Sequence, residues 1–201
     1  MLDRAAIRLL KPGLDALAVR LVRAGIGADA ITLAGFALGM AAATAIALGA
    51  PLPGLALLLA SRLADGLDGA VARQTQPTDR GAFLDITLDF LFYASIPLAF
   101  AFADPTANAL AAAVVLAAFV GTGSSFLAFA ALAGQRGIKS PGYPQKGLYY
   151  LGGFTEATET LLCFAAMCLW PQHFASLALG FAALCGLTIV TRLAAGWRLL
   201  A

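Results

Sequence analysis

Long apolar runs, broken by short clusters of proline, glycine and charged residues, set the pattern of this chain. Cutting the sequence at those clusters leaves six apolar segments, each close to the roughly 20 residues that a helix needs to cross a bilayer. The segments cover residues 30–49, 52–73, 82–102, 106–133, 147–170 and 174–194. Because short connections favour antiparallel neighbours, the pattern predicts six transmembrane helices that alternate in direction.

Residues 1–29, ahead of the first segment, carry a different pattern. Leu10, Leu14, Leu17 and Leu21 recur at helical spacing, while the charged residues between them point elsewhere. This pattern is typical of an amphipathic helix that lies in the membrane surface. A short solvated leader is the alternative.

Composition supports a membrane protein. Of the 201 residues, 61% are hydrophobic and 12% are charged, with a mean hydropathy of +0.86, whereas a soluble domain carries about 25% charged residues. We therefore predict an all-α integral membrane protein with a single domain over residues 1–201, in which 1–29 form the amphipathic leader and 30–201 the six-helix core. The net charge of +2 is too small to favour nucleic-acid binding.

The Lys and Arg residues predict the orientation of the helices. With six spans, both termini and the connections at 74–81 and 134–146 lie on one side. That side carries every Lys and Arg of the chain except Arg62. Because cytoplasmic loops accumulate positive residues, we expect both termini to lie in the cytoplasm.

Four aspartates lie inside the second and third apolar segments. Asp65 and Asp68 are three residues apart and Asp85 and Asp89 are four apart, so each pair shares one helix face. At about 1.5 Å per residue from the cytoplasmic helix ends, Asp68 and Asp85 lie roughly 6–7 Å deep, and Asp65 and Asp89 roughly 12 Å deep. The matching depths predict a pocket of four carboxylates below the cytoplasmic surface. Asp79, in the connection at 74–81, is expected to be a solvated loop charge.

Carboxylates in a membrane are costly and indicate a functional site by default. Like charges about 4 Å apart repel by roughly 4 kcal/mol at an effective dielectric of 20, so a positive group must share the pocket. Oxygen ligands without His or Cys favour Mg²⁺, Mn²⁺ or Ca²⁺ over zinc, and four carboxylates suit a two-metal site that clamps a phosphate. The alternatives are an ion relay of a transporter or channel, and carboxylates that stay protonated for structural reasons.

The run from Asp65 to Asp89 resembles the motif of the CDP-alcohol phosphatidyltransferases, in which DxxDGxxAR is followed, usually after eight residues, by GxxxDxxxD. All the fixed residue types are present: Asp65, Asp68, Gly69, Ala72, Arg73, Gly81, Asp85 and Asp89. The chain as a whole is similar to a bacterial inner-membrane branch of this family whose alcohol acceptor is unassigned.

Two positions depart from the family pattern. Only seven residues, 74–80, separate Arg73 from Gly81. Ahead of the first span the family often has Pro-Asn-x-x-Thr; here Thr32 fits, but Asp29 stands in place of the Asn. A helix N-cap is an equally simple role for Asp29.

The resemblance implies a transfer reaction that depends on two divalent ions, Mg²⁺ or Mn²⁺. An alcohol attacks the β-phosphorus of a CDP-linked donor, normally CDP-diacylglycerol, and CMP leaves. Asp65, Asp68 and Asp85 would hold the metals, while Asp89 would act as general base and also touch a metal. The implied contacts of the CDP group are Gly69, Ala72, Arg73, Gly81 and Thr32.

The resemblance also implies a multi-pass protein of the bacterial inner membrane, with its active site facing the cytoplasm and lipid as its surroundings. The family is commonly dimeric, and Gly35 and Gly39 form a GxxxG pair of the kind that supports helix association. A cation-coupled transporter or channel that uses the same carboxylates is the alternative function.

Residues that would recognise the alcohol acceptor are harder to identify. Glu156 and Glu159 share a predicted depth with Arg62, so the simplest expectation is an ion pair between Arg62 and one glutamate. The other glutamate could then hydrogen-bond a neutral polyol. A phosphorylated acceptor could instead be bound by the basic connection at 134–146, which carries Arg136, Lys139 and Lys146, although such loops are also basic for topological reasons.

Overall fold

The computed structural model describes residues 2–137 and 153–200, together with the side chains from residue 9 onward, and these residues are helical throughout apart from short connections. The helices are α1 (Leu2–Arg23), α2 (Ala28–Ala47), α3 (Pro51–Gln74), α4 (Asp79–Ala103), α5 (Pro105–Gln135), α6 (Ala157–Leu169) and α7 (Phe174–Leu199), with a 3₁₀ turn at Pro171–His173.

Four of the described elements are long and apolar enough to cross a membrane: α2, α4, α5 and the stretch Pro171–Leu199. Helix α3 has 24 residues, so it spans about 36 Å, but its charged residues lower its hydropathy. Helix α6 has only 13 residues. The described helices therefore establish an all-helical membrane protein, and the count of six spans stays a prediction.

The described part of the predicted fifth span, residues 153–170, is helical only over Ala157–Leu169. Residues 153–156 are not helical, and Glu156 is the N-cap of α6. Polar backbone contacts explain this start, because the N–H groups of Phe154 and Thr155 both donate to Thr188 Oγ at 3.1 Å. Apolar composition alone did not distinguish this irregular segment from a helix.

Local sequence sets where α4 begins. Thr78 is its N-cap, and the Thr78 hydroxyl accepts a hydrogen bond from the Gly81 backbone at 3.0 Å. The helix thus starts three residues before the predicted 82, and the connection from α3 shrinks to residues 75–78. Asp79 is not a loop charge, since it lies in the first turn of α4, where the helix dipole favours a carboxylate.

The main core surrounds α4. Phe92, Ile96, Phe100, Phe164 and Phe174 are at most 2% exposed and belong to one apolar cluster built from α2 to α7. The Phe100 and Phe174 rings stack with centroids 4.6 Å apart. Helix α2 packs against both α3 and α4, which make little direct contact with each other, so α2 sets their relative position.

The GxxxG pair of α2 serves packing inside the protomer. A Cβ added to Gly35 would lie 3.0 Å from the Ala64 side chain, and one added to Gly39 would lie 2.5 Å from the Phe92 ring. Small residues let membrane helices approach this closely. The pair therefore lets α2 pack closely against α3 and α4. The helix association expected from the GxxxG pair thus occurs within one chain.

The four leucines at helical spacing in α1 lie in two different environments. Leu14 and Leu21 pack with the fully buried Ala18 against Ala70 and Val71 of α3. Leu10 and Leu17, in contrast, stay 47% and 44% exposed. The predicted helix is present, and it docks on the helix that carries Asp65 and Asp68.

Candidate metal centre and active site

Helices α3 and α4 bring aspartates together as their spacing predicts. One carboxylate oxygen from each of Asp65, Asp68 and Asp85 lies within 4.8 Å of the others. The fourth, Asp89, lines the same narrow cleft between α2, α3 and α4. All four aspartates thus meet in one place.

Asp68 is the most enclosed of these carboxylates, with 5% of its surface exposed. Thr32, in the first turns of α2, donates its hydroxyl proton to Asp68 Oδ2 at 2.6 Å. The same hydroxyl lies 3.1 Å from the Ala28 carbonyl, its alternative acceptor. Thr32 therefore fixes the position of a predicted metal ligand, a contact that the sequence alone did not indicate.

Asp89 is held by an arginine. Arg62 Nη1 lies 2.6 Å from Asp89 Oδ1 and 3.4 Å from Asp65 Oδ1. The predicted ion pair between Arg62 and a glutamate is therefore wrong. Arg62 precedes Asp65 by three residues on the same helix, a spacing that places both on one face and could have revealed the pairing.

The donor set fits a hard divalent cation. The cluster presents three carboxylate oxygens within 4.8 Å of each other, and no His or Cys lines the described cleft. Oxygen-only donors of this kind suit Mg²⁺ and Mn²⁺. The residues that would hold such ions are Asp65, Asp68 and Asp85.

Contacts between α1 and the end of α3 surround Arg73, which does not line the described cleft. Arg73 Nη2 lies 4.0 Å from Asp15 Oδ1, and Gln74 Nε2 donates to the Asp15 carbonyl at 3.0 Å. Lys11 holds the other carboxylate oxygen of Asp15 at 2.7 Å. Sequence reasoning missed Asp15, because its partner lies 58 residues away on another helix.

Gly69 has no side chain, and the space this leaves is occupied by Arg73. A Cβ at Gly69 would lie 3.3 Å from Arg73 Nη1. Ala72, the other small motif residue on α3, is partly exposed beside Arg73. Neither Gly69 nor Ala72 lines the described cleft.

Asp29 joins the starts of α2 and α4. Its Oδ2 lies 3.0 Å from Arg80 Nη2, and a Cβ at Gly81 would lie 3.1 Å from its Oδ1. The N-cap of α2 is Gly27, so the N-cap role considered for Asp29 is wrong. The Asp29 carboxylate instead links the first turn of α2 to the first turn of α4.

The predicted acceptor residues are spread over other parts of the fold. Glu156 and Glu159 form a capping box at the start of α6, in which the Glu156 N–H donates to Glu159 Oε2 at 3.2 Å. Arg136 follows α5 and donates to the Leu200 carbonyl at 2.5 Å. Lys139 and Lys146 lie outside the described residues.

Arg192 is a buried cation that the sequence analysis had assigned to the cytoplasmic end. It is 8% exposed within α7, and its Nη1 donates to the Thr122 carbonyl of α5 at 3.0 Å. Its position inside the apolar segment 174–194 was the available signal.

An all-helical membrane fold with clustered aspartates at this spacing defines the class of protein. The chain belongs to the CDP-alcohol phosphatidyltransferase family, whose sequence model matches residues 26–192. It is an enzyme of this class, and it acts in phospholipid biosynthesis by phosphatidyl transfer from a CDP-alcohol donor. The family resemblance noted in the sequence is thereby confirmed.

Particular relatives fit the same assignment. The inner membrane protein YnjF of Escherichia coli K12 is 55% identical over 152 residues, which cover 76% of this chain and 74% of that protein. The chain is thus a multi-pass protein of the bacterial inner membrane.

Solved structures share the fold. The Mycobacterium tuberculosis phosphatidylinositol phosphate synthase PgsA1 with CDP-DAG bound superposes with a TM-score of 0.72 at 24% identity, covering 92% of this chain and 93% of that one. The same enzyme in complex with manganese and citrate gives a TM-score of 0.72 at 24% identity, covering 92% and 88%. At this identity the likeness establishes a shared fold.

Proposed function

We propose that this enzyme transfers a phosphatidyl group from CDP-diacylglycerol to an alcohol and releases CMP, with two divalent ions, Mg²⁺ or Mn²⁺, at its active site. The observation that carries the proposal is the meeting of Asp65, Asp68 and Asp85 oxygens within 4.8 Å at the family motif. The CDP-DAG complex of PgsA1, which has the same fold, supports the choice of donor.

The aspartates divide the chemistry between them. Asp65, Asp68 and Asp85 would hold the ions, with Asp89 also touching one, and bound ions would supply neutralisation of charge on the diphosphate. Asp89 accepts the proton of the acceptor hydroxyl as the alcohol oxygen bonds to the β-phosphorus. The bond from that phosphorus to the bridging oxygen breaks, CMP leaves with the oxygen, and Asp89 passes its proton to water.

The CDP group lies at the mouth of the cleft in this proposal. Gly69 and Ala72 make room for the cytidine, and the planar donors of Arg73 meet the diphosphate. Gly81 of α4 and Thr32 of α2 would also contact the CDP group. The small side chains and the exposed Arg73, 53% accessible, support this placement.

The acceptor enters from the same side. We propose that its phosphate, if it carries one, meets Arg136, Lys139 and Lys146, whereas a neutral polyol would need the glutamates of α6. The capping contacts of Glu156 and Glu159 favour the basic residues.

The proposed orientation in the membrane follows from the distribution of Lys and Arg residues along the chain. Six spans with both termini in the cytoplasm place the mouth of the cleft on the cytoplasmic side, where CDP-linked donors and CMP exchange. We also propose a homodimer in the bilayer, as the family commonly forms.

The test is CMP release by the purified protein in detergent with CDP-diacylglycerol, Mg²⁺ and a panel of alcohols. The panel contains glycerol phosphate, inositol, inositol phosphate and serine. We expect release with one acceptor and its loss in Asp89→Asn. Asp104→Asn is the matched control, because Asp104 caps α5 at the far end of α4 and Asn is an equally good cap.

Two results would contradict the proposal. One is unchanged CMP release by Asp89→Asn. The other is no CMP with any acceptor, together with metal-driven uptake into liposomes, which would favour a cation-coupled transporter.

A further inference from the structure

Five charged side chains line the described cleft, namely Arg62 and the four aspartates. The Arg62 guanidinium lies against two of the carboxylates, since its Nη1 is 2.6 Å from Asp89 Oδ1 and 3.4 Å from Asp65 Oδ1. An arginine side chain does not lose its proton in a protein. With the aspartates ionised, four negative charges and one positive charge leave the lining with a formal charge of −3.

Contacts from three helices hold this positive charge inside the cleft. The Arg62 side chain is 11% exposed, and its Cζ lies 3.8 Å from the centroid of the buried Phe92 ring. Its Nη2 donates to Ser61 Oγ at 3.3 Å, and the Ser61 hydroxyl donates to the Gly35 carbonyl at 2.7 Å. The guanidinium is therefore a fixed part of the cleft and is screened much less than a surface charge.

Arg62 bridges Asp65 of α3 and Asp89 of α4 without using up either carboxylate. Both contacts involve the Oδ1 atom, and each carboxylate has a second oxygen that can bind an ion. All four aspartates therefore remain able to act as metal ligands. An ion bound by Asp65 or Asp89 shares its ligand with a guanidinium.

The formal charge of the cleft changes sign as ions enter. One divalent ion takes it from −3 to −1, and a second ion takes it to +1. The second ion thus leaves the site positive, which costs free energy in a poorly screened cleft. The diphosphate of a CDP-linked donor brings negative charge that offsets this excess. Without Arg62, two ions would balance the four carboxylates and no excess would arise.

We propose that Arg62 makes binding of the second divalent ion depend on the CDP-linked donor. The inference rests on the proposed function, in which two ions and the donor meet at the aspartates. Arg62 acts through the charge of the metal centre and is not a catalytic residue. Because coupling between two ligands is reciprocal, the second ion strengthens donor binding by the same factor.

The test is a Mn²⁺ titration of the purified protein in detergent, with free Mn²⁺ measured by EPR. It is run without an acceptor alcohol, in the presence and in the absence of CDP-diacylglycerol. Without the donor, the wild type should bind one ion and hold a second at least about tenfold more weakly. The donor should remove that difference. Protein-free micelles that contain the donor correct for Mn²⁺ bound by the diphosphate alone.

Two substitutions separate the charge of Arg62 from its packing. Arg62→Gln removes the charge and keeps a hydrogen-bond donor, so the donor should change the affinity for the second ion by less than about threefold. Arg62→Lys keeps the charge and should retain the donor dependence of the wild type. A purely structural role of Arg62 would not distinguish the two variants in this way.

Arg80→Gln is the matched control. Arg80 also pairs with a carboxylate, at 3.0 Å, but its side chain is 85% exposed and does not line the described cleft. The Arg80→Gln protein should bind both ions as the wild type does, with the same dependence on the donor.

Either of two results would overturn the proposal. One is wild-type protein that binds two ions equally well without the donor, a measurement that needs no variant to fold. The other is folded Arg62→Gln protein with the donor dependence of the wild type. Failure of the proposed function is distinguishable, because it is read from CMP release, whereas the number of bound ions is measured without turnover.

Discussion

A single hydroxyl determines how one predicted metal ligand is oriented. The Thr32 hydroxyl donates to Asp68 Oδ2 at 2.6 Å, and Asp68 is 5% exposed. Hydrogen bonds to charged groups contribute about 1.5–3 kcal/mol. The geometry of this carboxylate is therefore controlled from a neighbouring helix.

Replacing Thr32 by Val should weaken Mn²⁺ binding about tenfold or more, because a hydrogen bond to a charged, enclosed carboxylate is lost without a change in shape. The measurement is the Mn²⁺ dissociation constant of the variant in detergent. Thr44→Val is the matched control on the same helix, since the exposed Thr44 hydroxyl bonds only to the Met40 carbonyl. Equal Mn²⁺ affinities for the two variants would contradict this role of Thr32.

At the scale of residues, the spacing of the aspartates within each helix correctly predicted which of them share a face. The pairs Asp65 with Asp68 and Asp85 with Asp89 met because helical periodicity fixes which residues share a face. Pairing between helices was harder, because it depends on how α3 and α4 rotate about their axes. The Arg62–Asp89 contact, across 27 residues of sequence, is such a case.

At the scale of elements, α1 is joined to the end of α3 by polar contacts as well as by leucines. Asp15 lies between Lys11, at 2.7 Å, and Arg73, at 4.0 Å. Because these groups are substantially exposed, each pair contributes at most about 1 kcal/mol. Their effect is to orient Arg73 more than to hold the fold together.

Asp15→Asn should therefore raise the KM for the CDP-linked donor by a few-fold and leave kcat nearly unchanged. The reason is that Arg73 loses an orienting carboxylate worth at most about 1 kcal/mol. Steady-state kinetics with varied donor concentration measure the effect. A fall in kcat at constant KM would assign Asp15 a different role.

The start of α6 gives a test that separates capping from acceptor binding. Glu159→Gln keeps an acceptor for the Glu156 N–H and should preserve both stability and turnover. Glu159→Ala removes that contact and should lower the free energy of unfolding by about 1 kcal/mol. Loss of acceptor affinity in Glu159→Gln would instead support the polyol hypothesis.

Helix boundaries were predictable where the sequence carries a specific stop or start. Pro51 and Pro105 stand at the first turns of α3 and α5, and proline is favoured there because its missing N–H is not needed. The segment before α6 has an apolar composition similar to a span, so hydropathy extended the helix too far. The glutamates at 156 and 159 marked its true start.

At the scale of the whole molecule, orientation in the membrane is the main open prediction. The outer connection Pro171–His173 and the connection at 75–78 should lie on opposite sides. Gln172→Cys should react with an impermeant maleimide in intact spheroplasts, whereas Thr75→Cys should react only after permeabilisation. The wild type is the control, because its three cysteines are buried or half-buried.

Labelling of Thr75→Cys, but not of Gln172→Cys, in intact spheroplasts would show that the topology is the reverse of the predicted one.

The class of the protein was predictable from the sequence because the motif brings residues of α3 and α4 into one cleft. The contributions of α1 and α2 through Asp15 and Thr32 were not, since they require the packing of four helices at once.

The carboxylate cluster also links chemistry to the lifetime of the fold. Its groups come from α3 and α4 and are anchored to α2 through Thr32, so a cation bound there cross-links three helices. By mass action, an ion present at a hundred times its dissociation constant adds about 2.7 kcal/mol to stability. Depletion of such a cation would thus shorten the survival of this protein against membrane proteases before any shortage of its product was felt.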